Sequence, residues 1–370
     1  MILDKRNTDL YKKNIYNYIY TNGAVSRQEI VRNLTLSLPT VNHWITQLLN
    51  EGLIIPAGTA HNTGGRRAQL FSIVNDIRIA IGVEISKHHF TIVLVDILGN
   101  IINIHKQNLN FICTDKYYSS IGKAISKLVK DNHIPEEKIL GVGIGVPGLV
   151  SQDGIKVIHS KILDMNNMDV RDFERHIAYK CRLYNDAKAA GFGELWYRSI
   201  DRAFYVLLSY HVGGALIINN QVCLGDFTRA GEFGHQQIIP NGQKCYCGQT
   251  GCVDPYCSLS VLTDTVNGDI EEFFTSLRSG NPNSKKAWNE YISYLSIAIH
   301  NVVMILDCPV IIGGRVGANI GEFIDDINKT VNRLHPFTEN SNMVKPCCCK
   351  KEAIAAGSTF TFINQFLQQI

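Results

Sequence analysis

Four side chains in the middle of the chain could share one metal ion: His235, Cys245, Cys247 and Cys252, spaced His-x9-Cys-x-Cys-x4-Cys. One imidazole and three thiolates suit tetrahedral zinc and leave no open coordination position, so the expected ion is a structural Zn2+ rather than a Lewis acid. Gly248 and Gly251, set among the cysteines, allow the tight backbone path that such a knot needs. A metal-free cluster of buried thiols is the alternative in a chain with eleven Cys, but three Cys within eight residues, with Gly between them, favour metal. Two carboxylates flank the cluster. Glu232 lies three residues before the His and Asp254 two residues after the last Cys. Carboxylates fixed in this way accept hydrogen bonds from the hydroxyls of a polyhydroxylated ligand.

The elements that must position these groups read as a mixed α/β chain. Apolar runs at 79–85 and 90–96 predict two strands, and Gly99-Asn100 turns the chain into a third at 101–104. A helix is expected near 115–131. It is followed by an apolar strand at 140–146, the turn Pro147-Gly148, and a strand from Cys181 that ends at Asn185-Asp186. Strands at 204–208 and 216–218 precede the metal segment, and a helix-rich region runs from about Leu259 to Leu306. Val310-Ile311-Ile312 leads as a strand into Gly313-Gly314, and a closing helix starts at Ala353 and is expected to return to the first lobe. Cys347-Cys348-Cys349 receives no role, because adjacent cysteines chelate one ion poorly.

The first 75 residues differ in charge from the rest. They hold eight Lys/Arg against four Asp/Glu, whereas the whole 370-residue chain carries only +3. A basic head on a near-neutral body points to nucleic acid. Apolar spacing predicts one helix ending at Asn22-Gly23. A second is capped by Ser26 with Glu29 as its capping-box partner. A third is capped by Ser37, with Pro39 in its first turn. Two short apolar runs, 53–55 and 70–73, flank Thr63-Gly64-Gly65-Arg66-Arg67. Three helices followed by a hairpin is the order of a winged helix-turn-helix. The third helix would offer Ser37, Thr40, Asn42 and His43 to DNA, and the wing tip Arg66 and Arg67. A three-helix domain that binds protein is the alternative.

The stretch Glu232-x-Gly234-His235 followed by Cys245-x-Cys247-Gly248-x-x-Gly251-Cys252-x-Asp254 resembles the signature of the ROK family, which joins sugar kinases of actin-like (ribonuclease H-like) fold with transcription factors. The resemblance spreads over most of the chain. It implies a sugar site made of Gly148, Asn185, Asp186, Glu232, His235 and Asp254, with His235 also on the zinc and Asp186 at the position of the kinases' general base. Asp254 stands where the family usually has Glu. An isolated Asn-Asp is otherwise a turn or helix cap. The head resembles that of the family's repressors, in which Gly-Gly-Arg-Arg precedes the sugar-kinase-like body, whereas kinases proper lack it.

The family's kinases hold ATP phosphates on two glycine-rich turns whose backbone N–H groups cradle the anion. Here the first aligns with Glu84-Ile85-Ser86-Lys87-His88-His89, which has neither glycine nor Thr. The second aligns with Ser209-Tyr210-His211-Val212-Gly213-Gly214-Ala215, in which two rings replace the first half. The expectation is a lost ATP site beside a kept sugar site, hence no enzyme activity. The predicted protein is a cytoplasmic, sugar-responsive regulator, expected to be a repressor. Its partners would be operator DNA and a sugar or sugar phosphate, and it would act as a homodimer or dimer of dimers. The expected domains are a head over 1–75, a first lobe over 76–183 completed by 353–370, and a second lobe over 184–352. No apolar run of about 18 residues is present to span a membrane. The start of the sequence lacks a signal-peptide pattern, and the many Cys suit a reducing compartment. The rival readings are an active ATP-dependent sugar kinase with an added head, and a sensor that binds another protein.

Overall fold

A computed structural model describes residues 2–60, 67–266, 268–334, 336–337, 342–350 and 352–370. The head is built as its caps dictate. Helix Ile2–Asn22 is followed by Arg27–Leu34, where Ser26 and Glu29 close both halves of the capping box. Helix Leu38–Asn50 then starts on Ser37, whose side chain accepts from the Thr40 N–H. Val41, Trp44, Ile45 and Leu48 of that helix are buried against Ile15, Tyr16 and Ile19 of the first. The wing strands Ile54–Thr59 and Gln69–Ile73 pair antiparallel, and a short strand Val25–Ser26, not foreseen from the sequence, adds to the outer edge of Gln69–Ile73. The tip residues Thr63 to Arg66 fall outside the described residues.

Two five-stranded sheets form the body. In the first the order is Cys181–Asn185, Ile139–Val146, Ile79–Ile85, His89–Asp96, Ile101–Asn108. In the second it is Val344–Pro346, Val310–Gly313, Arg202–Leu208, Val212–Ile218, Gln221–Cys223. Each sheet has the same plan. A central strand pairs antiparallel with the strand that follows it, which pairs antiparallel with a third, while two later strands add in parallel on the other side. The sequence shows no repeat strong enough to prove this duplication. It lives in topology and strand register.

Between the sheets lie two short helices, Asp186–Glu194 and Ala353–Ser358. Their contact surfaces are Ala, Gly and Ser. A side chain at Gly357 would strike the Ala189 carbonyl, and one at Gly143 in the first sheet would strike the Ser358 carbonyl. The closing helix therefore does return to the first sheet, where the Ser358 hydroxyl donates to the Gly143 carbonyl at 2.9 Å. It continues as Phe360–Gln369, which also touches the head. A small three-stranded sheet, Leu149–Val150, Lys156–Ser160 and Met165–Asp169, projects from the first lobe over the cleft. Among the described residues no helix is long and apolar enough to cross a membrane.

Candidate functional site

The metal candidates meet. His235, Cys245, Cys247 and Cys252 bring one ligand atom each to within 4.8 Å of the others. The Cys245 sulfur lies 3.8 Å from His235 Nδ1, and the Cys247 and Cys252 sulfurs are 3.8 Å apart. Tetrahedral bonds of about 2.3 Å to sulfur have edges of roughly 3.8 Å, so the donor set fits zinc. Backbone bonds tie the loop into a knot: Cys245 N–H donates to Gln249 O, and Gly248 N–H to Cys245 O. A side chain at Gly251, where φ is +76°, would strike the Ile239 carbonyl. With Nδ1 turned to the sulfurs, Nε2 of His235 points the other way and lies 3.1 Å from the Tyr246 hydroxyl.

That outward face of His235 lines a cavity of about 380 Å3 between the two sheets, shared with Gly148, Asn185, Asp186 and Glu232. Asp186 sits at the start of its helix, directly after the strand Cys181–Asn185. Its Oδ1 accepts from the Ala187 N–H at 2.8 Å and from Asn185 Nδ2 at 3.1 Å. Asn185 makes two bonds within the protein. Its Oδ1 caps the helix by accepting from Lys188 N–H at 3.0 Å, and its Nδ2 donates to the Gly148 carbonyl at 3.0 Å. Burial first, then the nearby Glu232 charge, push the Asp186 carboxyl up to about 6. Burial raises Glu232 as well, against the pull of Lys188, His235 and Arg229. Lys188 is buried within the electrostatic reach of both carboxylates and donates to the Thr228 carbonyl.

One expected sugar contact is elsewhere. Asp254 does not line the cavity: it is buried, and its Oδ1 accepts from the Val212 N–H at 2.7 Å. Its side chain is one methylene shorter than the family's Glu, and the backbone takes it up. His211 and Tyr246 line that wall instead, with ring centroids 4.7 Å apart and His211 Nδ1 3.7 Å from Asp254. Sequence reading also missed His159, Ser160, Lys161 and Arg229, which line the same cavity. His159 and Ser160 come from a strand of the small sheet and Lys161 from the turn that follows it, and these short segments carry no periodic signal.

Each of the aligned phosphate turns carries an internal backbone bond. The Ser86 N–H donates to the His89 carbonyl at 3.0 Å, and the Ser86 hydroxyl lies 2.8 Å from His89 Nδ1. Ser209 N–H donates to His211 O at 3.3 Å, and Arg315 donates to the Tyr210 hydroxyl at 2.8 Å. The retained Gly213 and Gly214 are needed for packing, since side chains there would meet Ala187 and Phe204.

On the head, Ser37, Asn42 and His43 are exposed and Thr40 is half-buried. The Ser37 and Thr40 hydroxyls bond each other at 2.7 Å, and the His43 ring sits edge-on to Trp44 at 4.9 Å. Arg67 is exposed where the described wing resumes, and Arg66 lies outside the described residues.

A winged helix-turn-helix joined to a two-lobed, actin-like body with a cleft at its hinge defines the class of protein. The chain belongs to the ROK family, whose pattern matches residues 80–359, while residues 8–55 match the winged helix-turn-helix DNA-binding pattern. It is 24% identical to the xylose repressor of Caldicellulosiruptor bescii over 375 residues, covering 94% of each chain. Among solved structures, it superposes on a ROK family transcriptional regulator described as a homologue of the E. coli MLC protein, with a TM-score of 0.74, 18% identity and 98% of each chain covered. It also superposes on a ROK family glucokinase from Streptomyces griseus in complex with glucose and AMPPNP, with a TM-score of 0.66 and 23% identity over 76% of this chain and 98% of that one.

Proposed function

We propose that the chain is a sugar-responsive transcriptional repressor with a kinase-like sensor and no kinase activity. The observation that carries this reading is the pairing of a DNA-binding head with a hinge cavity where Asn185, Asp186, Glu232 and His235 converge, beside turns that carry Ser, Lys, His and Tyr side chains where the resemblance expects glycines. The carboxylates accept from sugar hydroxyls, and Asn185 holds Asp186 in place. Without a general phosphate cradle, Asp186 binds a hydroxyl instead of deprotonating it for transfer. His235, Cys245, Cys247 and Cys252 would hold a structural zinc ion that fixes the cavity wall carrying His235. Ser37, Thr40, Asn42, His43, Arg66 and Arg67 would contact operator DNA in a dimer. Residues 1–75 form the head in this reading, 76–183 with 353–370 the first lobe, and 184–352 the second. The relative named a xylose repressor supports a sugar as the effector. The test is an operator-binding titration, by anisotropy, of the purified chain with and without a panel of monosaccharides, run beside an ATP-coupled phosphorylation assay. A sugar that releases DNA without being phosphorylated is the expected result. Turnover on the order of 1 per second or faster, in the usual enzyme range, would instead assign the kinase.

A further inference from the structure

The cavity at the hinge does not end at Asp186. A second cavity of about 230 Å3 adjoins it and shares Pro147, Ile162, Asp186 and His211 as common walls. By itself this space falls short of the roughly 300 Å3 at which independent small-molecule sites begin, so it reads as an extension of the first. We infer that it is a second sugar-ring subsite, and that the effector is a disaccharide whose glycosidic bond passes Asp186. This deepens the sugar-sensor reading and rests on it.

Three features choose a neutral ring over a phosphate. The first is the backbone. The turns that would cradle an anion spend N–H groups on themselves, Ser86 on His89 O and Ser209 on His211 O. An anion needs several converging N–H groups, and these are turned away. The second is charge. Two carboxylates, Glu84 and Asp186, stand on the walls of the cavity against one ammonium, that of Lys87, so a phosphate placed between the carboxylates would meet more like than unlike full charge. Glu84 already shows that crowding: burial, then Glu352 and Asp186, push it up to about 7. The third is the surface offered. Tyr210 presents a ring that Arg315 fixes, by the 2.8 Å bond to its hydroxyl and by a guanidinium 5.3 Å from its centroid. A ring held before binding loses little entropy on contact. Apolar ring faces with a few polar groups at the edge are how small neutral ligands are held.

Calorimetric titration of the full chain decides it. The monosaccharides are D-xylose and D-glucose. The disaccharides are xylobiose, cellobiose, maltose, isomaltose and gentiobiose. Glucose 6-phosphate serves as the anionic probe. At least one disaccharide should bind about tenfold or more tighter than its own monosaccharide, which is about 1.4 kcal/mol. Tyr210→Ala, at a half-exposed position, should erase that gain and leave monosaccharide binding within about twofold. Monosaccharide binding as tight as that of every disaccharide, tighter binding of glucose 6-phosphate than of either class, or a disaccharide preference that survives Tyr210→Ala would overturn the second subsite and leave the sugar sensor standing. A folded, operator-binding chain that takes up none of the probes would overturn the sensor reading itself.

Discussion

Asp186 occupies a place that costs the fold stability. Its carboxyl is pushed from 3.8 to about 6, chiefly by burial. Below about pH 4 the group is protonated in both folded and unfolded chains and has no effect. As pH rises from about 4 to about 6 the unfolded chain ionises before the folded one, so stability falls across that window and levels off above it. Asp186→Asn keeps an acceptor for the Ala187 N–H and removes the charge. It should raise the unfolding free energy at pH 7 by roughly 1–3 kcal/mol, with the gain gone by pH 4. Urea melts at the two pH values measure this, and a difference that does not change with pH would refute it. The same variant should lose sugar binding, as expected where function is kept at the expense of stability. The metal residues give a second expectation. Purified protein should carry about one zinc per chain, and Cys247→Ser should lose it and lower the melting temperature, because Val253, Ile238 and Ile239 carry the knot into the core of the second sheet. Metal analysis of a Cys245/Cys247/Cys252 triple variant tests it: stoichiometric metal retained there rules the site out. At this scale the sequence was informative where chemistry demands close spacing, as in His-x9-Cys-x-Cys-x4-Cys. It was silent on Lys161 and Arg229, which reach the cavity from separate loops that no local pattern links.

At the scale of elements, the hinge depends on the absence of side chains. Helices Asp186–Glu194 and Ala353–Ser358 approach so closely that a methyl group at Gly357 would meet the Ala189 carbonyl, and backbone cannot yield as a flexible side chain can. Gly357→Ala should therefore cost about 1–3 kcal/mol despite improving helix propensity. A denaturation midpoint equal to or above that of the wild type would show that the helices can move apart. The strands of the first sheet and the helix Asp115–Asp131 were readable because apolar runs specify them locally, whereas the edge strands Gln221–Cys223 and Val344–Pro346 of the second sheet, three residues each, were too short to foresee. The small sheet over the cleft was not readable, since Met165–Asp169 holds two Asn and an Asp and is a strand only by pairing with Lys156–Ser160. The Cys347-Cys348-Cys349 run gains a structural account of the same kind. The fully buried Glu194 carboxylate accepts from the backbone N–H groups of Cys348 and Cys349 and pairs with Arg198 at 2.7 Å. That run thus joins the hinge helix to the second sheet through its backbone.

For the whole molecule, the question is how a sugar at the hinge could reach DNA at the head. The head is seated on the first sheet and the final helix. The Tyr20 hydroxyl donates to the Ile97 carbonyl at 2.8 Å, and Lys13 donates to the Gln368 carbonyl at 2.6 Å. The final helix Phe360–Gln369 follows directly on Ala353–Ser358, which packs on the helix that begins with Asp186. Cleft closure around a ligand would therefore move the same helices that support the head. Two heads of a dimer must match half-sites about 34 Å apart, so a modest rotation could unseat one of them. A typical coupling of about 1–3 kcal/mol changes operator affinity roughly 5- to 150-fold, and by reciprocity operator DNA should weaken sugar binding by the same factor. Tyr20→Phe deletes one bond in that seat and none in the cavity or on the recognition helix. It should leave operator and sugar affinities, each measured alone, within about twofold, and shrink the coupling factor by about fivefold, the scale of one hydrogen bond of ~1 kcal/mol. Anisotropy titrations of both proteins, with and without the tightest-binding sugar, measure the factor. A Tyr20→Phe chain with undiminished coupling would show that the signal travels by a route other than this seat.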